Sequence, residues 1–103
     1  YKNVFGNYIK PVTYSVVKHG LLGMTKYFSS LFARYNVRFN MISPGPVYNK
    51  QNKRFVKELN KVIPMGRMGT TKDLKEIIKF LLNDGASYIT GQNIIIDGGR
   101  TII

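Results

Sequence analysis

The segment "TYSVVKHG" over positions 13–20 sets Tyr14 and Lys18 four residues apart. On a helix that spacing puts both side chains on one face, with Cβ atoms about 6 Å apart. A free phenol ionises near pH 10, far from the neutral range in which proton transfer is most effective. An ammonium fixed beside a phenol favours the phenolate, which moves such a pair toward acid/base work at neutral pH. The same spacing also describes a packed tyrosine next to a surface lysine, and it recurs by chance on many helices. Spacing alone leaves both readings open.

Other chemistry finds less material. Cysteine is absent, which removes disulfides, thiol catalysis and cysteine-ligated zinc. His19 is the one histidine and the 5 acidic residues are scattered, so no metal centre is expected. The 16 Lys and Arg residues give a net charge of +11, which attracts phosphates and raises nucleic-acid binding as a rival function. Against that rival, the cations spread from Lys2 to Arg100, and their densest run, "NKQNKRFVK", holds a single aromatic, Phe55, where a single-strand binder stacks several.

The elements that must position Tyr14 and Lys18 follow from periodicity. The opening "YKNVFGNYIKP", with Gly6, Asn7 and Pro11, reads as a loop. Large residues then recur at Tyr14, Val17, Leu21, Met24, Phe28, Leu31, Phe32 and Tyr35, a stripe wide enough to predict a mostly buried helix over 13–35. Gly20 and Gly23 inside it predict a neighbour packed closely against that face. "NVRFNMISPGPV" alternates and then meets Pro44-Gly45-Pro46, giving a strand over 37–42 that ends in a tight loop. A short amphipathic helix follows over 49–62, then a helix over 72–83 capped by Thr70 or Thr71 and ended by Asp84-Gly85. The tail "GQNIIIDGG" predicts a strand over 93–97, apolar throughout and so covered on both faces.

The order helix-strand-helix-helix-strand is that of a right-handed crossover in an α/β protein. Two parallel strands do not make a sheet buried on both sides, so further strands are expected beside 37–42, from sequence preceding Tyr1. With 44% hydrophobic and 20% charged residues and no apolar run of about 18 residues, the chain is globular, without a membrane span, and expected to be cytoplasmic. Ligands of such sheets bind beyond the carboxyl ends of the strands. Both the loop from Ser43 and the start of the Tyr14/Lys18 helix belong there.

The stretch "TYSVVKHGLLGMTKYFSSLFARYNVRFNMISPGPV" resembles the short-chain dehydrogenase/reductase family. That family pairs Tyr-x-x-x-Lys on a long helix with a strand of the type "VRxNxIxPG" and a distal "ITGQxIxxDGG". Here these fall on Tyr14 and Lys18, on Val37 through Gly45, and on Ile89 through Gly99, in the family's order. The resemblance implies that 1–103 is the C-terminal part of one doubly wound Rossmann-type domain binding NAD or NADP. It makes Tyr14 the proton donor or acceptor at a substrate carbonyl or alcohol, and Lys18 a ligand of the nicotinamide ribose that lowers the tyrosine pKa. Pro44, Gly45 and Val47 would line the nicotinamide pocket. Asn49 stands where the family often has a threonine touching the cofactor, a departure that puts this contact in doubt. The catalytic serine of the family falls near Tyr1, which is not a serine; it either precedes this chain or is missing.

The family's habit also implies a homodimer or homotetramer, with Phe28, Leu31 and Phe32 in the core or at a subunit contact. The segment 50–68 would form the substrate lid, and its basic character favours an anionic substrate such as a phosphorylated, nucleotide-linked or acidic sugar. Two other classes remain beside the oxidoreductase: a non-catalytic scaffold of the same fold, and the basic nucleic-acid binder. Asp97 is expected to anchor the glycine turn, and His19 to be a partly exposed helix residue.

Overall fold

A computed structural model describes residues 10–103. The expected opening loop, including Tyr1 and Tyr8, falls outside the described residues apart from its end at Lys10 and Pro11. Helix α1 spans Val12–Phe32 and runs into a single 3-10 turn, Ala33–Tyr35. Strand β1 is Met41–Pro44, helix α2 Lys53–Asn60, helix α3 Thr71–Leu82 and strand β2 Asn93–Ile96, with a 3-10 turn at Asp84–Ala86 before the last strand. The strands pair in parallel, from Met41 opposite Asn93 to Pro44 opposite Ile96. The expected order is therefore present, and α2 and α3 form the crossover between neighbouring parallel strands.

The boundaries shift for identifiable reasons. The first strand, expected over 37–42, begins at Met41 because side chains tie the preceding residues to 89–92. The Phe39 N–H donates to Thr90 Oγ1 at 3.1 Å, while the Asn40 amide donates to the Ile89 carbonyl at 2.9 Å and accepts from the Gln92 N–H at 3.1 Å. One backbone bond, from the Gly91 N–H to the Phe39 carbonyl at 2.7 Å, precedes the strand, but regular pairing starts only at Met41, whose N–H donates to the Gln92 carbonyl at 2.8 Å. Arg38 donates both to the Ile89 carbonyl at 3.4 Å and to the Leu81 carbonyl at 2.7 Å, the latter in the last turn of α3, where carbonyls lack intrahelical partners.

Helix α2 is shorter than the expected 49–62. Lys50 adopts a left-handed backbone (φ 57°), which a right-handed helix cannot contain, and Asn52 then caps the helix by accepting from the Arg54 N–H at 2.8 Å. Of the two candidate caps for α3, Thr70 is the one used. Its hydroxyl accepts from the Asp73 N–H while the Asp73 carboxylate accepts from the Thr70 N–H at 2.7 Å, a reciprocal capping box. Arg67 adds two hydrogen bonds to the same carboxylate, at 2.8 and 2.9 Å, and holds it far below the ordinary carboxylate range.

Two expectations of burial are corrected. Helix α1 is largely exposed: Ser29 is its one buried residue, and Val17, Met24 and Tyr27 stand 60%, 52% and 63% exposed. Nothing lies within 4 Å of where a Cβ on Gly20 or Gly23 would sit. Strand β2 is likewise open on one side, with Ile95 53% exposed. Among the described residues the sheet has two strands, too few to cover a 21-residue helix or to be covered on both faces. What α1 does pack is its C-terminal half, where the rings of Phe28 and Phe32 each lie 5.5 Å from that of Phe39. Beneath them Ser29 Oγ sits 2.8 Å from the Phe39 carbonyl and 2.6 Å from that of Thr25. No helix among the described residues is long and apolar enough to cross a membrane.

Candidate active site

Tyr14 and Lys18 occupy the first two turns of α1, the end least tied to the rest of the chain. Pro11 precedes the helix, its fixed φ suiting the N-terminus and its carbonyl accepting from the Tyr14 N–H at 3.0 Å. Two ammonium groups approach the Tyr14 ring, Lys10 at 4.2 Å and Lys18 at 5.6 Å from its centroid. One turn of helix thus joins the phenol and the lysine as the spacing predicts. His19, beside them, is exposed, with Nδ1 2.8 Å from the Ser15 carbonyl.

The second wall comes from the end of β1. The Gly45 N–H donates to the Ile96 carbonyl at 2.9 Å, extending the ladder past the strand, and a Cβ on Gly45 would lie 2.6 Å from both Cα and Cβ of Asp97. Only glycine admits that approach. Asp97 in turn holds the tail, accepting from the N–H groups of Gly99 at 2.9 Å and Thr101 at 2.8 Å. The Thr101 side chain foremost, helped by these backbone N–H groups, keeps its carboxyl below the ordinary range. It anchors the glycine turn as expected.

Between α1 and the end of β1 lies a cleft of about 760 Å³, with Tyr14, Lys18, Ser43, Pro44, Gly45 and Arg100 among its lining residues. Four of the six predicted site residues therefore share one space: Tyr14, Lys18, Pro44 and Gly45. Val47 and Asn49 do not line it. Val47 is bridged to Gly69, with Tyr48 N–H on the Gly69 carbonyl at 2.8 Å and Gly69 N–H on the Pro46 carbonyl at 2.9 Å. In such a bridge Val47's own N–H and C=O point away from Gly69. That carbonyl accepts from Gln51 Nε2 at 3.0 Å, and the other end of the same amide, Gln51 Oε1, accepts from the Asn49 N–H at 2.6 Å.

Three contributors escaped the sequence reading. Arg100 brings a cation from the tail into the cleft, Gln51 closes the loop after β1, and Ser29 pins α1 to the entry of β1. Ser29 carried one visible signal, a small hydroxyl between Phe28 and the exposed Ser30 within an aromatic stripe. Gln51 carried none.

The chain matches the family model described as enoyl-(acyl carrier protein) reductase over residues 2–101. It belongs to the short-chain dehydrogenase/reductase family. Over 106 residues it is 35% identical to a 3-oxoacyl-(acyl-carrier-protein) reductase of Thermotoga maritima, covering 97% of this chain and 43% of that protein. It is 37% identical over 98 residues to an NAD-dependent glycerol dehydrogenase of Listeria innocua, covering 90% and 39%. Among solved structures, a short-chain dehydrogenase from Leptospira borgpetersenii with bound NAD+ superposes with a TM-score of 0.83 at 39% identity, over 91% of this chain and 37% of that one. The fold is accordingly that of a Rossmann-type dehydrogenase. The chain spans less than half the length of each of these dehydrogenases and reductases.

Proposed function

We propose that residues 1–103 form the C-terminal part of a single Rossmann-type domain, in an oxidoreductase that moves hydride between NAD or NADP and a small carbonyl or secondary alcohol. The observation that carries this reading is the shared cleft of Tyr14, Lys18, Pro44 and Gly45 at the carboxyl end of β1, in a chain matched by the family model over almost all its length. The donor set suits the nicotinamide end of such a cofactor. Lys18 and the Tyr14 phenol are hydrogen-bonding groups for vicinal ribose hydroxyls.

Bound there, the cofactor supplies or accepts the hydride. Tyr14 gives its phenolic proton to the substrate carbonyl oxygen in reduction and takes it back from the hydroxyl in oxidation. Lys18 would hold the ribose hydroxyls beside Tyr14. Pro44 and Gly45 would bring the backbone close to the nicotinamide, while Val47 and Asn49, the other two residues expected at the cofactor, lie on the following loop outside the cleft. The exposed Lys50, Lys53, Arg54 and Lys57, before and along α2, favour an anionic substrate such as an acidic or phosphorylated sugar. Lys61 and Arg67 contribute less, being paired with Glu58 and Asp73. The apolar outer face of α1, with Val16, Tyr27 and Leu31 exposed, supports helix-on-helix packing in a homodimer or homotetramer.

Tyr14→Phe in the full-length protein tests the reading. General acid/base catalysis contributes about a hundred- to ten-thousandfold, and turnover should fall by that factor while cofactor affinity, by fluorescence titration, stays within about twofold. Turnover near that of the parent would remove Tyr14 from the chemistry and favour the scaffold.

A further inference from the structure

We infer that Arg100 binds an anionic group of the substrate, so that the carbonyl or alcohol reacting at Tyr14 carries a carboxylate or phosphoryl group. The inference rests on the oxidoreductase reading and adds to it the residue that selects the substrate. Among the described residues lining the cleft, the lysine and arginine are Lys18 and Arg100, and the one carboxylate is Asp97. Both Asp97 oxygens are engaged, Oδ1 by the Gly99 N–H at 2.9 Å and Oδ2 by the Thr101 N–H at 2.8 Å. The chain's other carboxylates lie elsewhere: Glu58, Asp73 and Glu76 are paired with Lys61, Arg67 and Lys79, and Asp84 does not line the cleft. Lys18 is assigned to the ribose, and Lys10 lies over the face of the Tyr14 ring. The Arg100 side chain is half-buried and makes no hydrogen bond or ion pair among the described residues. Burial deprives a guanidinium of water, and arginine does not give up its charge in response. An oxyanion that accepts two of its parallel N–H donors is the complement it lacks.

The tail holds Arg100 where it can serve. A Cβ on Gly45 would lie 2.6 Å from Asp97, so the tail leaves the sheet against the strand end that lines the cleft. Gly98 and Gly99 then turn it, with φ of 65° and 87°, and the Arg100 N–H returns to the Asp97 carbonyl at 3.3 Å. With the residues on either side bonded to the Asp97 carboxylate, the backbone of Arg100 is fixed before substrate arrives, and its side chain alone has to be ordered. The α2 cations Lys53, Arg54 and Lys57 line no part of the cleft, so an anion held there falls to Arg100.

The test uses the full-length protein with Arg100→Met, which removes the charge, and Arg100→Lys, which keeps it, each checked for a parental melting temperature. Reduction is followed for two pairs of small ketones, acetoacetate with its methyl ester and dihydroxyacetone phosphate with dihydroxyacetone. The parent should prefer the anionic member of at least one pair, and the pair in which it does so separates carboxylate from phosphoryl. For that anion Arg100→Met should lower kcat/KM about ten- to a hundredfold, mainly by raising KM, while the neutral member stays within about twofold and Arg100→Lys recovers part of the loss. A parent that binds the dinucleotide but prefers neither anion, an Arg100→Met protein that handles the anion as the parent does, or an equal loss for both members of a pair overturns the role of Arg100 alone. A parent that binds neither NADH nor NADPH overturns the oxidoreductase reading and this inference with it.

Discussion

Asp97 and Gln51 mark the two extremes of what single residues disclose. Asp97 precedes two glycines after an apolar strand, and a carboxylate there has backbone N–H groups within reach whatever the rest of the fold does. Its bonds to Gly99 and Thr101 were thus foreseeable, and the Thr101 side chain foremost, with these bonds, lowers its carboxyl pKa. A carboxyl whose folded pKa is depressed adds stability above its unfolded value, near pH 4, and loses it as pH falls through the folded value. Urea unfolding of the full-length protein should find Asp97→Asn less stable than the parent at pH 7, with the gap narrowing below about pH 4. A gap that is the same at pH 7 and pH 3 would show that the charge at Asp97 is not what matters. Gln51, by contrast, depends on a backbone reversal at Lys50, where no glycine or asparagine signals a left-handed conformation.

At the scale of elements, order was legible and edges were not. Among the described residues, periodicity located the three helices and the first strand, an unbroken apolar run located β2, and the cap of α3 was narrowed to Thr70 or Thr71, of which the reciprocal bonds to Asp73 select Thr70. The start of β1 was hidden, since Asn40 and Thr90 replace backbone partners with side chains from 50 residues away in sequence. Thr70→Ala removes the cap and should cost about 1 kcal/mol, read as a lower melting temperature with the far-UV spectrum kept. Gly45→Ala acts between elements: its methyl meets Asp97 Cα and Cβ at 2.6 Å, and neither is the yielding tip of a flexible side chain. Strand end and tail must separate, at a cost of about 1–3 kcal/mol. Because Gly45 also lines the cleft, cofactor affinity should weaken in the same variant. A Gly45→Ala protein with parental melting temperature and affinity would mean that the strand ends are less tightly opposed than in this structure.

For the whole molecule, the wide apolar stripe of α1 predicted a mostly buried helix, whereas among the described residues nothing covers most of it. The radius of gyration is 16.1 Å with a long axis of 48 Å, whereas a compact chain of this length has about 13 Å. Ile63, Met68 and Ala86 are the buried hydrophobic residues among those described, and no large side chain is sealed from solvent. Burial on that scale does not offset the conformational entropy of ordering so many residues, at roughly 1–2 kcal/mol each for the backbone alone. Expressed by itself, the 103-residue chain should therefore show helical far-UV dichroism but weak near-UV signals, bind a hydrophobic dye and unfold without a sharp transition. Hydrogen exchange should be slowest around β1 and β2, where backbone pairing and the Asn40 amide coincide, and fastest over the first turns of α1 that carry Tyr14 and Lys18. The full-length protein should melt cooperatively with that end of α1 protected, because the proposed acid/base pair needs a rigid helix to face the cofactor. A sharp, dye-negative melt of the isolated chain would instead mean that it finds its cover in a second copy of itself, and sedimentation would then show a dimer.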